Sequence, residues 1–431
     1  MSANLGSADT RATEAAPPSH QPQAGVHGGT IAPSRPRGSL DAYLLRRLLK
    51  SVGDPPIEFH LAWTGERVAP EGVEAVGHVR VADRRTLLGL LIDPQVRFCD
   101  AYTSSRIEIE GDPVEFMVTL FQIFAPASPA SSVSRSVGRW RRPRPNTLRR
   151  ARDNIHRHYD IGNDFYALWL GETMAYTCAY YPTAEATLEQ AQIAKMDHVC
   201  RKLKLGAGDA VVEAGCGWGS LALHMAGRYG AKVRAFNISR EQLDFARRRA
   251  VKAGLAGRVE FIEDDYRNIR GTCDAFVSVG MLEHVGLGHY AELGRVVRSS
   301  LAADGRGLIH SIGRNRPGAL HPWIERRIFP GAYAPSLGEM MQIFEPSDLS
   351  VLDVENLRLH YARTLRHWLE RYESAAAKVR SMFDESFVRM WRLYLAGSIA
   401  GFETGTLQLF QVLFTKRENN AIPLSREFMY R

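Results

Sequence analysis

Glu213-Ala214-Gly215-Cys216-Gly217-Trp218-Gly219 follows directly on the apolar run Ala210-Val211-Val212 and opens onto a helical stretch. Glycines at this spacing let the backbone turn sharply and let a ligand approach a helix N-terminus. A dinucleotide fingerprint would read GxGxxG, with an acidic residue closing the second strand. Here the turn reads GxGxG, and the second strand ends in Asn237-Ile238-Ser239, followed by Gln242. The third strand ends in Asp264-Asp265-Tyr266. Polar groups at successive strand ends suit a ribose and an adenine better than a pyrophosphate. The local pattern therefore favours S-adenosylmethionine over a nicotinamide dinucleotide.

Such a turn works only on a parallel sheet, and the surrounding pattern supplies one. Strand-like runs at 211–215, 232–237, 258–262, 273–280 and 305–313 alternate with helical stretches at 224–229, 241–254 and 289–301. Strand, helix, strand at this spacing is the mark of a doubly wound α/β fold, Rossmann-like in its winding. Ahead of it, IEFHLAW, GHVRV, TLLGLLI, RIEIE and VEFMVTLFQIF mix short alternating runs with helical ones, predicting a smaller α+β domain over 39–125. Its first helix, LDAYLLRRLLK, presents Leu40, Tyr43, Leu44 and Leu48 as its apolar face, flanked by Arg46, Arg47 and Lys50. That face either packs into a core or lies on an anionic membrane.

The chain has 431 residues, 45% of them hydrophobic and 24% charged, ordinary for a globular protein of two domains. Residues 1–38, rich in Ala, Pro, Gly, Ser and Gln, read as a disordered tail. Residues 126–152 carry eight arginines among Pro and Ser and read as a basic linker. The N-terminus lacks the apolar core of a secretory signal, and no run is long enough to span a bilayer, so a cytoplasmic protein is expected. Cys99, Cys178, Cys200, Cys216 and Cys273 show no CxxC spacing, which points to neither a disulfide framework nor a structural metal site. A net charge of +8 favours partners bearing phosphate. Nucleic acid is not expected among them, because no RNA-recognition motif or aromatic-studded basic surface is present.

Ten motifs in order then carry a resemblance. They are HYDIGNDFY (158–166), MAYTCAYY (174–181), LEQAQIAK (188–195), EAGCGWGSLA (213–222), DYRN (265–268), SVGMLEHVG (278–286), LIHSIG (308–313), IFPGAYAPS (328–336), HYARTLRHW (360–368) and FVRMWRLYLAGSIAGF (387–402). Over about 153–415 the chain resembles the cyclopropane-fatty-acyl-phospholipid synthase family, which includes mycolic acid and fatty-acyl methyltransferases, and the domain this implies spans 153–431. The resemblance implies a class I methyltransferase domain that uses S-adenosylmethionine to add a methylene across a cis double bond of an unsaturated phospholipid acyl chain, closing a cyclopropane ring. It implies a bound bicarbonate ion as base, held at Cys178, Glu283, His310, Ile312 and Tyr361. Cofactor contacts are implied at Tyr176, Thr177, Gly215, Gly217, Asn237, Gln242, Tyr266 and Arg267. Peripheral association with the inner face of the membrane follows, the 39–125 domain presenting lipid or dimerising, and a homodimer is left open.

Taken singly, Cys178 and His310 read equally well as packed core residues. Their joint occurrence inside matching motifs is what argues for chemistry. Position 283 falls just past the fourth strand of the sheet, at the carboxyl edge where such sheets bind ligands. His310 and Ile312, two apart on a strand, share a face. An anion beside Glu283 requires a proton on one of the two. The aromatic C-terminal run (Phe387, Met390, Trp391, Tyr394, Phe402, Phe410, Phe414) either lines an acyl channel or fills the core. The chain departs from the family pattern at Glu213-Ala214 (usually Asp-Ile), Asn237 (usually Thr), Leu282 (usually Phe) and Cys99-Asp100 (usually Gly-Glu). A fatty-acyl methylase and a small-molecule N-methyltransferase are the rival readings.

Overall fold

A computed structural model describes residues 38–72, 74–124 and 161–430. The expected tail, apart from Gly38, and the basic linker lie outside the described residues, as do His158, Tyr159 and Asp160. From Leu40 to Arg431 the chain is one compact unit.

The small domain begins with helix α1 (Leu40–Ser51) and strands β1 (Ile57–Leu61), β2 (Arg67–Val68) and β3 (Gly77–Val81). Helices α2 (Arg84–Ile92) and α3 (Pro94–Thr103), strand β4 (Ile107–Glu110) and helix α4 (Pro113–Phe124) complete it. Its sheet runs β2-β1-β3-β4. Strands β1 and β3 bury every second residue, as a one-sided sheet requires. Asp83 caps α2 through the Thr86 N–H, and Asp93 caps α3 ahead of Pro94. The apolar face expected of α1 is corrected. Its buried residues are Asp41, Ala42, Leu45 and Leu49, while Leu40 and Tyr43 are 61% and 54% exposed. The Asp41 carboxylate accepts from Trp63 Nε1 (3.0 Å) and Arg84 Nε (2.9 Å), and these two bonds turn the helix inward on that side.

The larger part follows the expected alternation. After α5 (Asn163–Leu170) and α6 (Leu188–Lys202) come β5 (Ala210–Ala214), α7 (Ser220–Arg228), β6 (Lys232–Asn237), α8 (Arg240–Lys252) and β7 (Val259–Glu263). Then come β8 (Cys273–Val279), α9 (Tyr290–Ser300), β9 (Leu301–Gly313), α10 (Pro322–Arg327) and α11 (Leu337–Phe344). The chain continues through β10 (Leu349–Asn356), α12 (Arg358–Ser374), α13 (Ala376–Met382), α14 (Glu385–Glu403) and β11 (Gln408–Lys416). The seven strands run β10-β11-β9-β8-β5-β6-β7, and β11 alone points against the rest.

A continuous apolar core joins the two parts, running from Leu45 and Phe116 to Trp391 and Phe402. Two polar clasps reinforce it. Arg389, 8% exposed on α14, donates to the carbonyls of Tyr102 (2.6 Å) and Ile107 (3.0 Å) and to Glu108 (2.9 Å). Asp100, the residue standing where Glu is usual, accepts from Trp323 Nε1 (3.1 Å) and from Arg327 through both carboxylate oxygens. The departure at Cys99-Asp100 therefore keeps an acid that fastens α3 to α10.

Candidate active site

The glycine turn is built as its spacing requires. Gly215 has φ +83, and a Cβ there would lie 2.8 Å from that of Met281. Gly219, φ +79, would collide with Ala246 and the Phe261 ring at 2.8 Å. Neither position accepts a side chain, so the turn lies tight against the sheet while the start of α7 stays open to a ligand. Asn237 at the end of β6 donates to the Gly217 carbonyl (3.3 Å) and to Gln242 Oε1 (2.8 Å), and its Oδ1 accepts from the Ile238 N–H. The structure thus brings Gly217, Asn237 and Gln242 together. Tyr266 opens a single 3-10 turn after β7, with the Arg267 guanidinium 5.0 Å from its ring centroid. The Tyr266 side chain is buried beside Arg267.

Tyr176, Thr177 and Cys178 sit on the loop before α6. The Tyr176 hydroxyl pairs with that of Tyr394 (2.8 Å), and its ring stands among Tyr166, Trp169 and Trp368 at 5.3–5.5 Å. The Trp169 contact is edge-to-face and the other two are tilted, so the rings interlock as a buried aromatic cluster around Tyr176. The carbonyl of Thr177 accepts from Gln192 Nε2 (2.9 Å).

The second group of predicted residues converges through shared partners. Cys178, fully buried, lies with its Sγ 3.9 Å from the Leu357 carbonyl, and the Leu357 N–H donates to Leu409, directly opposite Ile312. The next residue, Ala179, donates to Thr364 Oγ1 (3.0 Å), one turn along α12 from Tyr361. Tyr361 is 8% exposed, its ring 4.7 Å from that of Phe402. Glu283 sits in a 3-10 turn after β8, and its Oε1 accepts from the Ile312 N–H (2.6 Å). The Ile312 peptide thereby holds the Glu283 carboxylate. Glu283 Oε2 and both ring nitrogens of His310 are buried with no hydrogen-bond partner among the described residues.

Burial sets the protonation of this group. The Glu283 carboxyl is pushed up to about 7, and the His310 imidazole is driven well below its ordinary value, with Lys195 and Lys202 adding to the effect. Burial also holds the Cys178 thiol far above the ordinary thiol range. At neutral pH the site thus offers a carboxyl that holds its proton far more readily than an ordinary one, a neutral imidazole and an un-ionised thiol. It can donate hydrogen bonds to a small oxyanion without carrying a full negative charge of its own.

Several residues went unassigned in the sequence. Glu213, 2% exposed, is raised to about 8 by burial, and its Oε2 lacks a partner. Gln192 and Lys195 are buried on α6, at positions continuing the apolar stripe of Leu188 and Val199. Polar residues in step with an apolar stripe are the signal that marks them. The aromatic C-terminal run divides. Trp391, Tyr394 and Phe402 belong to the core beside the cleft, whereas Phe410 and Phe414 face the other side of the sheet, Phe414 packing on Phe344 at 4.9 Å.

A seven-stranded sheet with one reversed strand and a glycine turn at its carboxyl edge defines a class I S-adenosylmethionine-dependent methyltransferase, in keeping with solved structures similar to it. The family model described as mycolic acid cyclopropane synthetase matches residues 146–412, and the chain belongs to that family. A probable fatty acid methyltransferase of Pseudomonas putida is 38% identical over 80% of this chain and 89% of its own length. The cyclopropane-fatty-acyl-phospholipid synthase of Escherichia coli K12 is 37% identical over 62% of this chain and 69% of its own. Among solved structures, mycolic acid cyclopropane synthase CmaA1 complexed with SAH and CTAB superposes with a TM-score of 0.59. It is 26% identical and covers 62% of this chain and 98% of its own. The protein is an S-adenosylmethionine-dependent lipid methyltransferase.

Proposed function

We propose that the protein adds a methylene across a cis double bond of an unsaturated phospholipid acyl chain at the membrane surface. Donors for this reading are the glycine turn with Asn237 and Gln242, which hold the cofactor, and the pocket of Cys178, Glu283, His310, Ile312 and Tyr361. The carrying observation is that Glu283, held on the Ile312 N–H, and His310, two residues back on the same strand, keep buried polar atoms (Glu283 Oε2 and both His310 nitrogens) with no hydrogen-bond partner among the described residues.

An isolated alkene is a poor nucleophile. Its π electrons attack the sulfonium methyl carbon, the carbon–sulfur bond breaks toward sulfur, and a carbocation is left on the acyl chain. Ring closure then needs one proton removed from the new methyl group. Water would trap the cation, so the site must be dry, and the full burial of Cys178 and Leu282 supports that. The rings of Tyr176, Trp169 and Trp368 tolerate positive charge at their faces. Bicarbonate, when bound, supplies the base. The orphaned acceptor and donor atoms of Glu283 and His310 fit a small oxyanion: the carboxyl donates when protonated, and the neutral imidazole donates from one nitrogen.

A fatty-acyl methylase, in which the cation loses a different proton, is the second reading. It is favoured by the higher coverage of the Pseudomonas putida relative and by Leu282, which replaces the usual Phe beside Glu283 and is completely buried. One experiment separates the two. The purified protein is incubated with S-adenosylmethionine and unsaturated phosphatidylglycerol vesicles, and the acyl chains are read by mass spectrometry and proton NMR. A chain heavier by one CH₂ with upfield ring protons supports cyclopropanation. The same mass with vinylidene protons moves the assignment to the methylase. No lipid product from a cofactor-bound protein would overturn both.

A further inference from the structure

Three directly opposed residues, Glu355 on β10, Gln411 on β11 and His310 on β9, form a row across neighbouring strands. Opposed residues on antiparallel strands share a face with their Cβ atoms about 5 Å apart. The row therefore leads from the sheet edge directly to the candidate base site. Gln411 is fully buried, as is His310 at 1% exposed.

The orientation of the Gln411 amide is fixed by charge. Its Oε1 accepts from Lys202 Nζ (3.0 Å), and the same ammonium bonds Glu355 Oε2 (2.5 Å). Glu355 is held in turn by His198 Nε2 (2.7 Å), whose other nitrogen meets the Met429 carbonyl (3.2 Å). A flipped amide would set its NH₂ against an ammonium, so Oε1 must face Lys202 and Nε2 must point away from it. That Nε2 is buried with no hydrogen-bond partner among the described residues, and so are both nitrogens of His310 on the next strand. Buried amide donors are rarely left unpaired unless a ligand or water meets them. A neutral imidazole gives an oxyanion a single N–H, which leaves the anion in need of another neutral donor.

We propose that Gln411 is a further binding residue of the oxyanion site, its amide aimed by Lys202 and Glu355 so that Nε2 donates to the anion beside His310. This rests on the reading that the site holds a small oxyanion. The test is binding of carbon-13 bicarbonate to the purified protein in S-adenosylhomocysteine, read by NMR titration. Gln411→Leu removes the donor at nearly the same volume. Gln411→Asn keeps an amide on a shorter stem, which guards against a variant that fails to fold. Affinity for S-adenosylhomocysteine is measured on each by calorimetry.

Gln411→Leu is expected to weaken bicarbonate binding by about tenfold or more, with Gln411→Asn between it and the parent. S-adenosylhomocysteine affinity should stay within about twofold, since nothing in the cofactor turn touches Gln411. Wild-type bicarbonate affinity in either folded variant would overturn the role of Gln411. A parent protein that binds S-adenosylhomocysteine but no bicarbonate would overturn the oxyanion reading, and the role with it.

Discussion

Glu283 is the residue on which both chemistry and stability turn. Its native carboxyl stands near 7 against an ordinary value of 4.5, and burial is the chief cause. A carboxyl raised in the native state contributes stability that is fully present below about pH 4.5 and lost as the pH rises toward 7. Glu283→Gln should therefore narrow the difference in unfolding free energy between pH 4.5 and pH 8, by up to about 3 kcal/mol, in urea titrations of the ligand-free protein. An unchanged difference would show that Glu283 ionises normally. The same variant, and Cys178→Ser, should each cut turnover strongly while S-adenosylmethionine binding by calorimetry stays near normal. Cofactor affinity falling in step with activity would remove both residues from the base site. At this scale the sequence was legible wherever a motif fixed the neighbours. Cys178, Glu283, His310 and Tyr361 stand in their motifs, and a run of backbone contacts through Leu357, Leu409 and Ile312 links Cys178 to Glu283. Gln411 and Lys202 were not legible, because their meaning comes from a register between β9, β10 and β11 that no local pattern records.

Among the elements, the strands of the parallel sheet were readable as apolar runs closed by Gly, Asp or Asn, and the glycine turn marked the edge that matters. The antiparallel pair β10 and β11, separated in sequence by three helices, went unread. Glu and Asp alternate along β10 at the sheet edge, while β11 is buried along nearly its whole length and carries Gln at both Gln408 and Gln411. The turn of α1 was misjudged for a related reason: Asp41 is drawn inward by Trp63 and Arg84, partners 22 and 43 residues away. The contact between α14 and the small domain gives a prediction of its own. Arg389→Met removes the buried guanidinium's bonds to the Tyr102 and Ile107 carbonyls and to Glu108, which should cost about 2–4 kcal/mol in chemical denaturation. A loss under about 0.5 kcal/mol would mean that water replaces the guanidinium freely.

For the molecule as a whole, sequence composition suggested two domains, and the structure gives two sheets over one shared core. The described residues from Leu40 onward should accordingly unfold in a single calorimetric transition, the small sheet melting with the large one. Two resolved transitions would show that the clasps of Arg389 and Asp100 are incidental. The reversed strand β11 carries a consequence for synthesis. It is the last strand of the sheet to leave the ribosome, yet it lies between β9 and β10, carries Gln411 and supplies the Leu409 carbonyl that anchors the start of α12. Until residue 416 has emerged, β9 is an open edge with an unpaired row of peptide groups, and such an edge invites pairing with another chain. A nascent chain therefore passes through a long interval in which the cofactor turn is complete and the lipid chemistry is not. Chaperone dependence should be concentrated in that interval.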